Sequence, residues 1–190
     1  MTDSNQKPFD YIAEAHVTAA SNYYGNKVPL QTLAVVLETA INALNELDKV
    51  KKSLFYGRDL NITNIGNDTR YTDCRAIPEG IDPNDDKRAI NIIHAIIGMA
   101  TESGELLEMF YKTVFNDAAF DDVNASEEVG DTMWYQALLI RALGTTFDSE
   151  QRGNIAKLRA RFPNAFTEYD ANNRDLFMER EVLEQQLKTV

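Results

Sequence analysis

Apolar residues recur at three- and four-residue intervals through most of this chain, and no stretch alternates with the period of two that marks a strand. The pattern predicts an all-α protein. A first helix covers Phe9 to Asn22 and stops near Gly25, and a second runs from Leu30 to Phe55, between Pro29 and Gly57. From Gly57 to Pro83, glycine, proline, Asn and Asp indicate a long loop of the kind associated with function or mobility. Asp82-Pro83 then offers a cap and a first-turn proline for a third helix that ends at Phe115. Asp121 to Ser126 supply turn residues and a cap for a fourth, ending at Leu143 with Gly144 as its stop. Asp148 or Ser149 is the expected cap of a fifth helix ending before Pro163, and Asn172 or Asn173 that of a sixth from Arg174 to about Lys188.

The third helix breaks the amphipathic rule. Ile90, Ile92, Ile93, Ile96, Ile97, Met99, Leu106, Leu107, Phe110 and Val114 lie on several of its sides, which predicts burial. Through them runs a polar stripe, because His94, Thr101, Glu105 and Lys112 fall within about 20° of one line on a helix. Glu102 is close beside it. Burying an unpaired carboxylate costs several kcal/mol, so these acids need a proton, a salt bridge or a cation. The fourth helix repeats the theme, with Glu127, Glu128 and Asp131 opening an apolar segment.

Composition narrows the class. At 190 residues, with 44% hydrophobic and 26% charged residues, the sequence reads as one domain, 1–190. Its stretches are N-terminal helices and a long loop (1–85), the acid-bearing helices (86–163) and a tail helix (164–190). Cys74 is the single cysteine, which excludes an internal disulfide and a cysteine zinc site. The N-terminus lacks the apolar run of a signal peptide and no segment reads as a membrane span, so the expected compartment is the reducing cytoplasm, with no membrane partner. Formal net charge is −11, which disfavours a nucleic-acid polymer as partner. The signs are segregated: acids dominate from Ala100 to Asp131, whereas Arg152, Lys157, Arg159 and Arg161 form a basic run without an acid. A polyanionic ligand would therefore rely on that run or on cations held by the acids.

Glu102 with Glu105, and Glu128 with Asp131, are i,i+3 pairs, each on one face of its helix. On adjacent antiparallel helices they would converge four carboxylates, the all-oxygen donor set that suits Mg²⁺, with Mn²⁺ as its alternative. A di-iron bundle would need Glu-x-x-His pairs, and neither His16 nor His94 has a Glu three residues before it. Acid pairs at this spacing are also common on solvated helix faces, so spacing alone leaves both readings open. Leu33–Asn64 can be laid on Ile93–Asn124 as an internal repeat, but identities such as Ala40 with Ala100 and Phe55 with Phe115 barely exceed what two amphipathic helices share.

Glu102-x-x-Glu105, a gap of 22 residues, and Glu128-x-x-Asp131 resemble the signature of the MazG-like all-α nucleoside triphosphate pyrophosphohydrolases. The runs His94–Glu108, Glu127–Tyr135 and Asn154–Pro163 are similar to bacterial and phage members in residue type and order, as are Phe166-Thr-Glu and Asn173-Arg-Asp. The resemblance covers Ile90 to Glu184, about half the chain; Gln31 to Asp85 looks like an insertion or degenerate copy.

The resemblance implies a four-helix core with an added N-terminal helical segment, residues 86–163 being the catalytic helices. It also implies hydrolysis of a (deoxy)nucleoside triphosphate between its α- and β-phosphates, releasing monophosphate and pyrophosphate. By the same implication Glu102, Glu105, Glu128 and Asp131 are the catalytic, Mg²⁺-holding residues, with one of them or Glu127 orienting water. Asn154, Lys157 and Arg161 would contact the β- and γ-phosphates, with Lys112 a further contact, and the chain would form a homodimer. The sequence departs from the family at Asn116–Phe120, where a basic turn is expected; Arg58 is the alternative source of that charge. Residue type favours Trp134 and Tyr135 as core aromatics over a base-stacking platform, and His94 as a core histidine. The competing hypothesis is a non-catalytic, nucleotide-sensing or partner-binding helical bundle, with an inactive regulatory subunit as a third.

Overall fold

Helix boundaries follow local chemistry. The computed structural model describes residues 9–20, 22–60 and 87–187, among which there are seven α-helices, one 3₁₀ turn (Gly25–Lys27) and no strand. Helix α2, Leu30–Tyr56, begins after Pro29 and ends at Gly57, whose φ of 65° is the left-handed conformation that glycine adopts without a Cβ clash. Helix α3 is Lys87–Phe115; the expected Asp82-Pro83 cap and most of the loop after Gly57 lie outside the described residues. Asp121 starts α4, Asp122–Leu143, by accepting from the N–H groups of Val123 and Asn124, and Gly144 (φ 75°) ends it.

These elements fall in two compact units, residues 26–144 and residues 1–25 with 145–190. In the first, α3 packs against both α2 and α4. Two glycines permit that approach: a Cβ on Gly104 would sit 2.9 Å from the Leu44 Cβ of α2, and one on Gly98 only 2.2 Å from the Tyr135 ring of α4. The buried face of α3 is accordingly small and polar, comprising Ala95, Gly98, Thr101, Glu102 and Gly104 with Met109. The expectation of a helix buried on several sides is corrected here, since Ile96, Phe110 and Val114 remain substantially exposed.

The second unit holds α1 (Tyr11–Val17), α5 (Phe147–Arg161), α6 (Glu168–Asn172) and α7 (Leu176–Leu187). Helix α1 is shorter than expected, because the Thr18 N–H and hydroxyl both turn back to the Ala15 carbonyl. The cap of α5 is Thr146, whose Oγ1 accepts from the Ser149 N–H; Asp148 instead lies in the first turn, where a negative charge complements the helix dipole. Asn172 closes the extra short helix α6, and the last helix starts after Asp175, whose Oδ1 accepts from the Met178 N–H. Within this unit α5 packs on α7, and Arg161 makes a two-pronged pair with Glu179 at 2.8 and 2.6 Å.

Candidate metal centre

Two acids are buried where α3 meets α4, Glu102 from α3 and Glu128 from α4, while Glu105 and Asp131, one turn further along each helix, are exposed. One carboxylate oxygen from each of Glu102, Glu105 and Glu128 lies within 4.8 Å of the others. Glu102 and Glu128 are buried and Glu105 is exposed, so the group opens to solvent on one side. Asp131 is exposed and outside this three-oxygen group, although its charge acts on Glu128. Glu127 is exposed.

The crowding has an electrostatic consequence. Burial, then the charges of Glu105 and Glu102, push the Glu128 carboxyl up to about 7 from an ordinary 4.5. The Glu128 carboxyl therefore resists ionisation unless something positive joins the cluster.

One positive group is already present, and residue spacing did not reveal it. Lys51 of α2 is 3% exposed. Its Nζ donates to Glu102 Oε1 and Thr101 Oγ1, each at 2.8 Å, and lies 3.1 Å from Asp48 Oδ1 and 5.3 Å from the Tyr135 ring centre. Burial alone would drive an amine toward neutrality; Glu102 and Asp48 outweigh it and hold this ammonium above its usual range. Asp48 is held below its ordinary value, burial being overcome by Lys52 and Lys51.

Two cavities flank the acids. One, about 280 Å³, is lined by Glu105, Glu108, Met109, Lys112 and the start of α4. Lys112, exposed, pairs with Glu108 at 2.8 Å, which places this cation on the same cavity as Glu105. The other, about 300 Å³, lies between Tyr56, Asp131, Trp134 and Tyr135. Behind it His94 stacks on Phe55 at 3.9 Å and meets Tyr135 and Trp134 edge-on, its Nε2 without a hydrogen-bond partner among the described residues. Burial, then Lys51, keep this imidazole below its usual pKa and hence neutral. Tyr135 is a core residue as expected, whereas Trp134 is 56% exposed and faces the cavity.

The remaining expected contacts sit in the second unit. Asn154 Oδ1 accepts from the Tyr11 hydroxyl at 3.3 Å, and Lys157 is half-buried on α5. Arg161 is engaged with Glu179. Arg58, just past α2, is exposed.

No helix among the described residues is long and apolar enough to cross a membrane. The chain matches no protein-family model, no curated protein and no solved structure.

Proposed function

We propose that this protein is a Mg²⁺-dependent nucleoside triphosphate pyrophosphohydrolase, with Mn²⁺ as an alternative ion, and that its first unit is the core of an all-α fold of the MazG-like type. The observation that carries the reading is the meeting of Glu102, Glu105 and Glu128 within 4.8 Å, from an acid pattern that resembles that family's. The donor set fits a hard divalent cation: it is all-oxygen, partly buried, open on one side and short of positive charge. When bound, such an ion supplies neutralisation of phosphate oxygens and a more acidic water.

The chain's own residues supply the rest. Glu102, Glu105 and Glu128 would hold the ion, with Asp131, whose charge already acts on Glu128, as the fourth acid that the resemblance implies. The exposed Glu105 is the acid best placed to take a proton from water attacking the α-phosphorus, as the bond to the β-phosphate oxygen breaks. Lys112 meets the polyphosphate in the cavity it shares with Glu105. The flat faces of Tyr56 and Trp134 beside Asp131 offer a nucleobase a stacking surface. Val129, Met133 and Trp134, each about half exposed along α4, give a second copy of the chain an apolar face to cover.

The test is incubation of the purified protein with each canonical and modified dNTP in Mg²⁺, with products resolved by anion exchange. Monophosphate and pyrophosphate in equal amounts are expected. Stoichiometric retention of intact nucleotide would instead establish a sensor, and neither turnover nor binding a regulatory subunit.

A further inference from the structure

We infer that the cavity between Tyr56, Asp131, Trp134 and Tyr135 selects a nucleobase that carries a positive charge, as methylation of a ring nitrogen of cytosine or adenine produces. The inference rests on the nucleotide-hydrolase reading above and deepens it by naming the class of base.

The first ground is what the walls offer. The cavity, about 300 Å³, presents three aromatic residues and one carboxylate. Tyr56 and Trp134 are each about half exposed, and Trp134 meets Tyr135 at 87° with ring centres 4.9 Å apart. A flat cation gains from such rings the stacking that a neutral base gains and, in addition, attraction to their negative faces. Asp131 is exposed, lies outside the three-oxygen group of Glu102, Glu105 and Glu128, and has no hydrogen-bond or ion-pair partner among the described residues. An ionised carboxylate only accepts. Methylation at N3 of cytosine or N1 of adenine spreads positive charge onto the exocyclic amino group, which can then donate a charge-assisted hydrogen bond to such an acid.

The second ground is what the walls withhold. No Lys or Arg is among the residues that line the cavity. Lys51, 5.3 Å from the Tyr135 ring centre, is buried and already engaged by Glu102 and Asp48. His94, which stacks on Phe55 and meets Trp134 and Tyr135 edge-on, is kept neutral and adds no competing charge. The Tyr135 hydroxyl is hydrogen-bonded to Tyr56. The carbonyl oxygens of a neutral uracil or thymine would therefore meet a carboxylate that repels them.

Trp134 is the single tryptophan of the chain, so its fluorescence reports binding in this cavity without metal or turnover. The metal-free protein is titrated at neutral pH with 3-methylcytidine and its uncharged isomer 5-methylcytidine, and with 1-methyladenosine and its uncharged isomer N6-methyladenosine. The members of each pair have the same methylated base and sugar composition and differ in charge. The charged member should bind at least about fivefold more tightly, and Asp131→Asn should bring the two within about twofold. Equal affinities in the wild type, a preference that Asp131→Asn leaves intact, or no binding of either pair would each overturn the inference. Release of pyrophosphate from dNTPs alongside equal nucleoside affinities would strike this inference and leave the hydrolase reading standing. A charge preference without any turnover would do the reverse.

Discussion

Replacing Glu179 by Gln exposes how much of the second unit depends on one carboxylate. Glu179 is 4% exposed and receives four donors, Nε and Nη2 of Arg161 at 2.8 and 2.6 Å and Nε and Nη2 of Arg174 at 3.2 and 2.8 Å. Arg161, then Arg174, outweigh burial and hold the carboxyl down to about 2 from 4.5. At about 1.4 kcal/mol per pH unit that difference corresponds to about 3 kcal/mol of stability at neutral pH. Removing one member of a buried pair gives a similar figure, about 3–5 kcal/mol. The Arg174 side chain is 44% exposed and its share is screened, so Arg161, at 16%, carries most of the effect. Because the folded pKa is depressed, this stability is complete above the unfolded value of 4.5 and is lost as pH falls toward 2. Glu179→Gln should therefore melt roughly 6–12 °C below wild type at pH 7, if the chain melts cooperatively, and the gap should narrow below pH 4.5. Circular dichroism melts across that range measure both. A loss under about 2 °C at pH 7, or a gap independent of pH, would refute the reasoning and release Arg161 for phosphate.

Three other expectations are independent of that pair. Glu105→Gln and Asp131→Asn should each abolish pyrophosphate release while preserving the far-ultraviolet helical signal; turnover at the wild-type rate would remove either residue from the mechanism. In the metal-free protein Glu128 is held up to about 7, so the stability its proton provides is full below about 4.5 and lost as pH rises through 7. Wild type in EDTA should therefore lose on the order of 3 kcal/mol between pH 4.5 and 8 relative to Glu128→Gln, as denaturant titrations at each pH would show; parallel curves would contradict this. Gly98→Ala, whose Cβ would lie 2.2 Å from the Tyr135 ring, should cost about 1–3 kcal/mol through displacement of that ring, and a melting temperature within error of wild type would show that α3 and α4 yield freely.

What the sequence made legible was local. Pro29, Gly57 and Gly144 each act within a turn of their own position, and the bounds they suggested for α2 and for the end of α4 agree with the structure to within a residue, while the cap of α4, expected within Asp121 to Ser126, is Asp121. The same locality explains the misses near residues 146 and 172. Thr146, Asp148 and Ser149 are all good caps, and so are Thr167, Asn172, Asn173 and Asp175; which of several adjacent caps starts a helix is decided by how the chain enters it. Trp134 and Tyr135 are indistinguishable by residue type, yet one step along a helix turns a side chain by about 100° and separates a cavity wall from a core residue.

The candidate site was half legible for a related reason. An i,i+3 spacing places two acids on one face of a helix but says nothing of how near the next helix comes. Toward α4 that distance is set by Gly98, against the Tyr135 ring, and toward α2 by Gly104, against Leu44; both are small residues on the buried face of α3 where another helix closes in. Lys51 was the harder case, since its partners Thr101 and Glu102 lie some fifty residues further on. A signal for it did exist. Ile41, Leu44, Asp48, Lys51 and Phe55 follow the alternating three- and four-residue steps of a helix seam, so two opposite charges stand where α2 otherwise presents apolar side chains. Charges on a seam must find countercharges on the facing helix, and the acids of α3 were there to be matched. The acidic cluster and the seam lysine thus pose one electrostatic problem, since the ammonium that α2 brings to Glu102 offsets one of the charges crowded around Glu128.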